Sequence, residues 1–358
     1  MSFGRFDRYV FFTFLRYWVV VGLAILSLFS VLDFLGKADE IGRGIENAEK
    51  TGATVWLALQ YYLWSLPFLL VQFAPFLTVL AGIATVLQLR RTREWTPVLT
   101  AGQSTWRSFR PMLTAAILLG LVVFGVREVG FSIAQPHRME AHDPFFRDRP
   151  WEARDLWARG AQDTRLHAIR FVPGNPPMMH GLEVYSVDHE GRDHLLRAEK
   201  AIWSGTRWDL QGASYIVAGM TEATPTVFQV EGLEPSALLV FHYRDRQPLE
   251  LTRGQLLSLL VRDPHDRQAA TLAWNFLFSP LAHVLLLLLG LPFVLRFDRS
   301  SSMEGVAIGL LLCALFFVGD LIFVDLGTRG VLAPWLAGSG SVLLFGSLGW
   351  VAADRLPT

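Results

Sequence analysis

The sequence predicts an α-helical membrane protein with six transmembrane helices and an inserted all-β, jelly-roll-like domain. Three observations carry this reading. Of the 358 residues, 52% are hydrophobic and only 18% charged, with a mean hydropathy of +0.34. Soluble domains usually carry about 25% charged residues. Six apolar runs approach or exceed the roughly 20 residues that a spanning helix needs. Residues 131–270 have a different texture, with short alternating runs broken by turn signals.

The first run covers residues 9–35 and is interrupted by Arg16 and Asp33. Arg16 is close enough to the start to snorkel to headgroups. The second run, 55–89, contains Pro67 and Pro75, which predict a kink or a locally unwound turn. The third covers 112–129. The fourth, 272–295, carries Pro280 and Pro292; the fifth covers 306–326 and the sixth 334–353. The domains expected are therefore 1–130 with spans one to three, the inserted domain at 131–270, and 271–358 with spans four to six.

Charge in the short connections sets orientation. Arg90, Arg91, Arg93, Arg107 and Arg110 lie between runs two and three, and Arg296 and Arg299 between runs four and five. Arg5, Arg8 and Arg355 mark the ends. With six spans these fall on one side, so both termini are expected in the cytoplasm and residues 131–270 on the far side. The connection at 36–54 mixes Lys37, Arg43 and Lys50 with Asp39, Glu40, Glu46 and Glu49.

Within the insertion, stretches at 166–172, 181–187, 195–203, 208–217 and 226–230 fit half-buried strands. Trp208, Leu210 and Gly212 alternate against Asp209, Gln211 and Ala213. Residues 140–159 read as a polar or helical lead-in. Residues 251–261 read as an amphipathic helix capped by Thr252, with Leu256, Leu257, Leu259 and Leu260 on its apolar face.

Composition and motifs exclude several function classes. The net charge is zero, which gives no global basic excess for nucleic acid. There is no GxxxxGK[ST] phosphate loop, HExxH, CxxC or GxSxG, and Cys313 is the single cysteine. His189 and His194, five apart, do not stack as two ligands on one face. His283 lies in a spanning run, where an ionisable group is a functional candidate. Beside Pro280 it reads preferably as a neutral histidine donating to a carbonyl. Asp320, deep in the fifth run, either lines a polar cavity with Asp33 and Arg16 or pairs with a neighbouring helix. Arg127 and Glu128 read as interfacial residues that end the third run.

The stretch 90–110 is longer than a tight turn. Glu94 to Thr100 predicts a short helix, Gly102 its stop, and Ser104 a cap for the helix that follows. A short helix rimmed by arginine and carrying an exposed acid is a grip for a cytoplasmic partner; a plain basic connector is the alternative.

The ordered set of motifs resembles the lipopolysaccharide-export permeases LptF and LptG. It comprises the opening Asp7-Arg8-Tyr9, then Pro67 and Pro75, then Glu94 through Ala101-Gly102-Gln103-Ser104, like that family's SE…AxGxS stretch. Leu182-Glu183-Val184-Tyr185, Ala198-Glu199-Lys200-Ala201 and Trp208-Asp209-Leu210 follow, and then Ser279-Pro280-Leu281 and Gly290-Leu291-Pro292. The sequence departs from the family at Arg93, usually a small polar residue, and at Trp95-Thr96-Pro97, usually plain helix formers.

The resemblance implies a permease in the bacterial inner membrane that pairs with a paralogue, or with a second copy, around a cavity for one lipopolysaccharide. An LptB-like ATPase dimer would grip the coupling segment 90–105, with Glu94 and Gly102 at family positions and Arg91, Arg93 and Leu99 around them. The chain would bind no cofactor itself, and ATP would be used by the partner. An LptC-like single-span protein and an LptA-like bridge would take the lipid from a periplasmic β-domain. Lys37 and Arg43 are candidates for phosphate contact, since ammonium and guanidinium groups bind phosphate oxygens. Two rivals are a non-transporting scaffold or sensor with a ligand-binding β-domain, and a membrane enzyme with an outer catalytic domain.

Overall fold

A computed structural model describes residues 4–46, 54–94, 105–142, 145, 152–161, 164–187, 192–217, 220–223, 225–296 and 302–354. Its helices are α1 (Arg5–Glu46), α2 (Val55–Arg91), α3 (Thr105–Gly125), α4 (Phe131–His142), α5 (Pro235–Arg246), α6 (Arg253–Arg262), α7 (Arg267–Arg296), α8 (Ser302–Thr328) and α9 (Pro334–Asp354). A π-helical segment, Val126–Gly130, joins α3 to α4 without a break. The strands are β1 (Ala153–Arg159), β2 (Arg165–Val172), β3 (Met178–Val187), β4 (Asp193–Trp203), β5 (Trp208–Gln211), β6 (Ser214–Val217), β7 (Met220–Ala223) and β8 (Val227–Phe228).

Among the described residues, five helical stretches are long and apolar enough to cross a membrane: Arg5–Glu46, Val55–Arg91, Phe109–His142, Arg267–Leu291 and Ala307–Thr328. The sixth predicted span is α9, whose apolar run is diluted by Gly338, Ser339, Gly340 and Ser341. Two helices depart from the expected runs. α1 continues through the charged residues 36–46, which are expected in a connection. α2 stays helical through Pro67 and Pro75 instead of unwinding; prolines are tolerated in spanning helices when neighbouring groups satisfy the freed carbonyls.

The chain forms two compact units, 1–38 with 62–138 and 270–358, and 39–61 with 139–269. In the first, Val10 and Phe14 of α1 pack with Val86 and Leu89 of α2, Phe109 and Met112 of α3, Leu286 of α7 and Phe316 of α8. The rest of α1 is packed lightly: only 6% of its most apolar stretch is buried.

The second unit is built on one antiparallel sheet in the order β1-β2-β3-β4-β5-β8, with β6 pairing β4 and β7. The inward-facing positions explain its shape. Ala153 and Leu156 are buried in β1, Ala168 and Phe171 in β2, Met179 and Leu182 in β3, and Ala198 and Ala201 in β4. Leu210 of β5 and Ala213 beside β6 repeat the interval. Strict alternation would space inward residues by two; here each strand jumps by three at the same level.

The registers align these jumps. Asp155, Ile169, Gly181 and Glu199 are the positions at which the pairing of β1 to β4 skips, and Gly212 lies at the same level between β5 and β6. Asp155, Gly181 and Gly212 take φ of 53°, 62° and 63°, a left-handed conformation that glycine adopts without a Cβ penalty. The row is a crease. At this row the buried positions of each strand shift by one, as they do where a bulge interrupts the alternation.

The crease corrects two expectations. Ala213 is buried and Gly212 exposed, the reverse of the simple alternation. Residues 153–159 are a strand, not a lead-in, because the jump at Asp155 hides the period of two. The helix at 253–262 agrees with expectation. Thr252 and Gln255 form a reciprocal capping box, and Leu256 and Leu259 are buried, although Leu257 is exposed.

Among the described residues, Trp208 is the largest fully buried side chain. Its indole N–H donates to the Leu233 carbonyl at 2.9 Å, just before α5, and Phe171 meets its ring edge-on. Trp208→Ala is expected to destabilise this unit by about 3–5 kcal/mol. The readout is faster proteolysis within residues 139–269 at unchanged membrane insertion.

Candidate functional site

Of the segment 90–105, the described residues are the C-terminal end of α2 with the turn that follows, and Thr105, which opens α3. The helix closes with a Schellman motif, in which the Glu94 N–H donates to the Leu89 carbonyl at 3.1 Å and the Arg93 N–H to the Arg90 carbonyl at 3.2 Å. Arg93 takes the left-handed position, φ 56°, that glycine usually fills. Thr92 closes the same turn by donating its hydroxyl to the Gln88 carbonyl at 3.0 Å. These contacts turn the chain sharply and satisfy the last helix carbonyls.

The turn fixes what faces outward. Arg91 and Arg93 are exposed, and Glu94 is half-buried. The Tyr9 hydroxyl, one turn into α1, donates to Glu94 Oε1 at 3.3 Å. Arg91, Arg93 and Glu94 therefore cluster at one helix end. Leu99, Gly102 and the short helix expected at 94–100 lie outside the described residues beyond Glu94.

Lys37 and Arg43 lie on the helical extension of α1. The Lys37 ammonium pairs with Asp33 at 2.9 Å, and Asp33 also accepts from the Tyr62 hydroxyl at 3.2 Å. The Arg43 Nε donates to the Asp39 carbonyl at 3.2 Å.

The spanning helices also hold polar groups. Thr78 of α2 donates its hydroxyl to the Ala74 carbonyl at 2.9 Å and accepts from Trp18 Nε1 of α1 at 3.3 Å. His283 Nδ1 of α7 lies 2.9 Å from the same oxygen. The hydroxyl's single hydrogen is already placed, so the contact is satisfied when Nδ1 carries the imidazole proton. His283 is thus a buried histidine that links helices, through a hydroxyl and not the carbonyl expected.

A second cluster joins α7, α8 and α9. Asp320 accepts from Ser341 Oγ at 2.5 Å and from Asn275 Nδ2 at 3.0 and 3.2 Å. Arg127 in the π-helical segment is buried, 5% exposed, and not interfacial as its position in the apolar run suggested. Its guanidinium lies over the Phe276 ring at 4.4 Å, and Asp320 and Glu128 are the negative charges that act on it. Its Nε has no hydrogen-bond partner.

Sequence reasoning missed Tyr9, Asn275 and Ser341 as partners in these clusters. The one available signal was that lone polar residues in apolar runs need partners.

Among the described residues, no group of three or more His, Cys, Asp or Glu is placed to hold a metal ion. Compared with known proteins, residues 8–355 match the family described as "Lipopolysaccharide export system permease LptF/LptG". No curated protein matches the chain.

Proposed function

Because the chain belongs to the LptF/LptG family of lipopolysaccharide export permeases, we propose that it is the permease subunit on which a partner ATPase acts at the end of α2. Its family and its apolar helices make it a multi-pass inner-membrane protein with a role in lipopolysaccharide export. The finer reading assigns each part a task. The sequence carries no phosphate loop, so the work of extraction enters from a nucleotide-binding partner. A ligand or partner shifts a conformational equilibrium only through contacts that differ between its states. The coupling segment, 90–105, supplies those contacts on the cytoplasmic side, where short-loop arginines favour the termini as well.

The observation that carries this reading is the end of α2. Two exposed guanidiniums and one carboxylate are presented by a capped, sharply terminated helix. Charge-assisted bonds from such groups are roughly twice as strong as neutral ones. In the same reading, residues 131–270 are periplasmic. Their creased sheet receives the lipid from a cavity shared with a paralogue or a second copy and passes it to LptC-like and LptA-like bridge proteins. Lys37 and Arg43 contact headgroup phosphates.

Affinity purification of the full chain in mild detergent, with identification of bound proteins and lipids, tests the proposal. A nucleotide-binding subunit and lipopolysaccharide are expected. Recovery of the chain with neither would favour the scaffold or sensor reading.

A further inference from the structure

The opening Asp7-Arg8-Tyr9 has no task in the export reading, yet the structure gives two of its residues distinct contacts. The Asp7 carboxylate accepts from the Gly4 N–H at 3.0 Å and holds the first turn of α1. The Tyr9 hydroxyl reaches 85 positions along the chain to Glu94. Two more polar contacts join the same pair of helices: the Tyr17 hydroxyl to Gln88 Oε1 and Trp18 Nε1 to Thr78 Oγ1, both at 3.3 Å. Between them Val10 and Phe14 are fully buried.

These contacts occupy the first turns of α1, about 14 Å of helix from Tyr9 to Trp18 at 1.5 Å per residue. Beyond Trp18 the helix changes character. Val19, Val20, Leu23, Leu28, Val31 and Leu35 are all more than half exposed. The Asp33–Tyr62 contact then ties α1 to α2 again. In an apolar solvent, packing and interhelical hydrogen bonds hold helices together, because burial against lipid gives no hydrophobic gain. The Tyr9–Glu94 contact is the outermost of the three, and it involves the carboxylate assigned to the partner.

We infer that Tyr9 is a positioning residue: its hydroxyl holds the Glu94 carboxylate for the ATPase and ties that carboxylate to α1, so a displacement of Glu94 is delivered to α1 as well as to α2. The inference rests on the proposed role of Glu94. Tyr9 engages Oε1 and leaves Oε2 for the partner. A free glutamate must be immobilised on binding, and ordering one such side chain weakens association by roughly three- to tenfold.

The test uses the full chain co-expressed with its nucleotide-binding subunit and reconstituted in vesicles containing lipopolysaccharide. Tyr9→Phe keeps the ring and its packing, so folded yield and membrane insertion are expected to equal wild type. Retention of the subunit is expected to weaken roughly three- to tenfold, and lipid released per ATP hydrolysed to fall. On a Glu94→Gln background, Tyr9→Phe is expected to add little, because coupled residues are non-additive.

Two results overturn the inference alone, provided the wild type binds the subunit and Glu94→Gln weakens binding. One is a Tyr9→Phe variant with wild-type retention and yield per ATP. The other is a Tyr9→Phe loss that adds fully to that of Glu94→Gln. A wild-type chain that retains no nucleotide-binding subunit overturns both the inference and the reading beneath it.

Discussion

Glu94→Lys is expected to abolish capture of the nucleotide-binding subunit while leaving membrane insertion unchanged. The capping geometry separates the two outcomes. Glu94 contributes its backbone N–H to the Leu89 carbonyl, and that bond survives any side-chain change except to proline. The left-handed turn at Arg93 is likewise a backbone feature. The helix therefore ends where it did, and α2 keeps its place beside Phe109 and Met112 of α3. The change is in charge: a carboxylate beside two exposed arginines becomes a third cation, and any cationic group of the partner that paired with it would meet like charge. Truncating one member of a hydrogen-bonded charge pair at an interface costs about 2–5 kcal/mol, which is a loss of roughly 30-fold or more at 1.4 kcal/mol per decade. Reversal adds repulsion to that loss. Pull-down from detergent extracts measures capture, and protease accessibility of the termini measures insertion.

Asp320→Leu is expected to destabilise the helical unit by about 1–3 kcal/mol for each buried donor left without its acceptor. Three groups depend on this carboxylate. Ser341 Oγ and the Asn275 amide both donate to it, and buried Arg127 loses a compensating negative charge. Among the described residues, its guanidinium keeps the contact with the Phe276 ring, and Glu128 remains as a negative charge acting on it. Asp320→Asn keeps an acceptor for Ser341 and is expected to lose less. Asp320→Leu combined with Arg127→Met is expected to lose less than the two single changes summed, because no buried charge is left behind. A denaturant titration of the detergent-solubilised chain measures all four variants. A loss below about 1 kcal/mol for Asp320→Leu, the scale of exposed pairs, would mean that the cluster is not a buried charge centre.

Much of the architecture was legible because the bilayer imposes a length. Runs of about 20 apolar residues have few alternatives to a spanning helix, and the helices follow them. The extension of α1 to Glu46 was not legible, since charged residues such as Lys37 and Arg43 carry no apolar signal, although they form helix well. In the sheet, Leu182 and Val184 alternate as read, but the five-residue crease inverts the pattern within each strand. A reader who counts by two places Ala213 outside and misses β1.

The candidate site was legible where it is contiguous. Arg91, Arg93 and Glu94 adjoin in the chain, and the turn that presents them joins residues only a few positions apart. Tyr9 was not legible as the partner of Glu94, because only the packing of α1 on α2 brings them together. Arg127 failed for a related reason. Its place near the end of an apolar run suggested an interface. The π-helical segment, where the Phe131 N–H bonds to the Val126 carbonyl, instead sets it among α7 and α8 side chains; such segments are frequent at functional sites.

The most direct measurement is ATP-driven release of lipopolysaccharide from vesicles that carry the chain with its partner subunits, wild type against Glu94→Lys. Release that requires ATP in the wild type and is lost in the variant is the predicted result. Equal release from both, or none from a wild-type assembly that binds and hydrolyses ATP, would contradict the account.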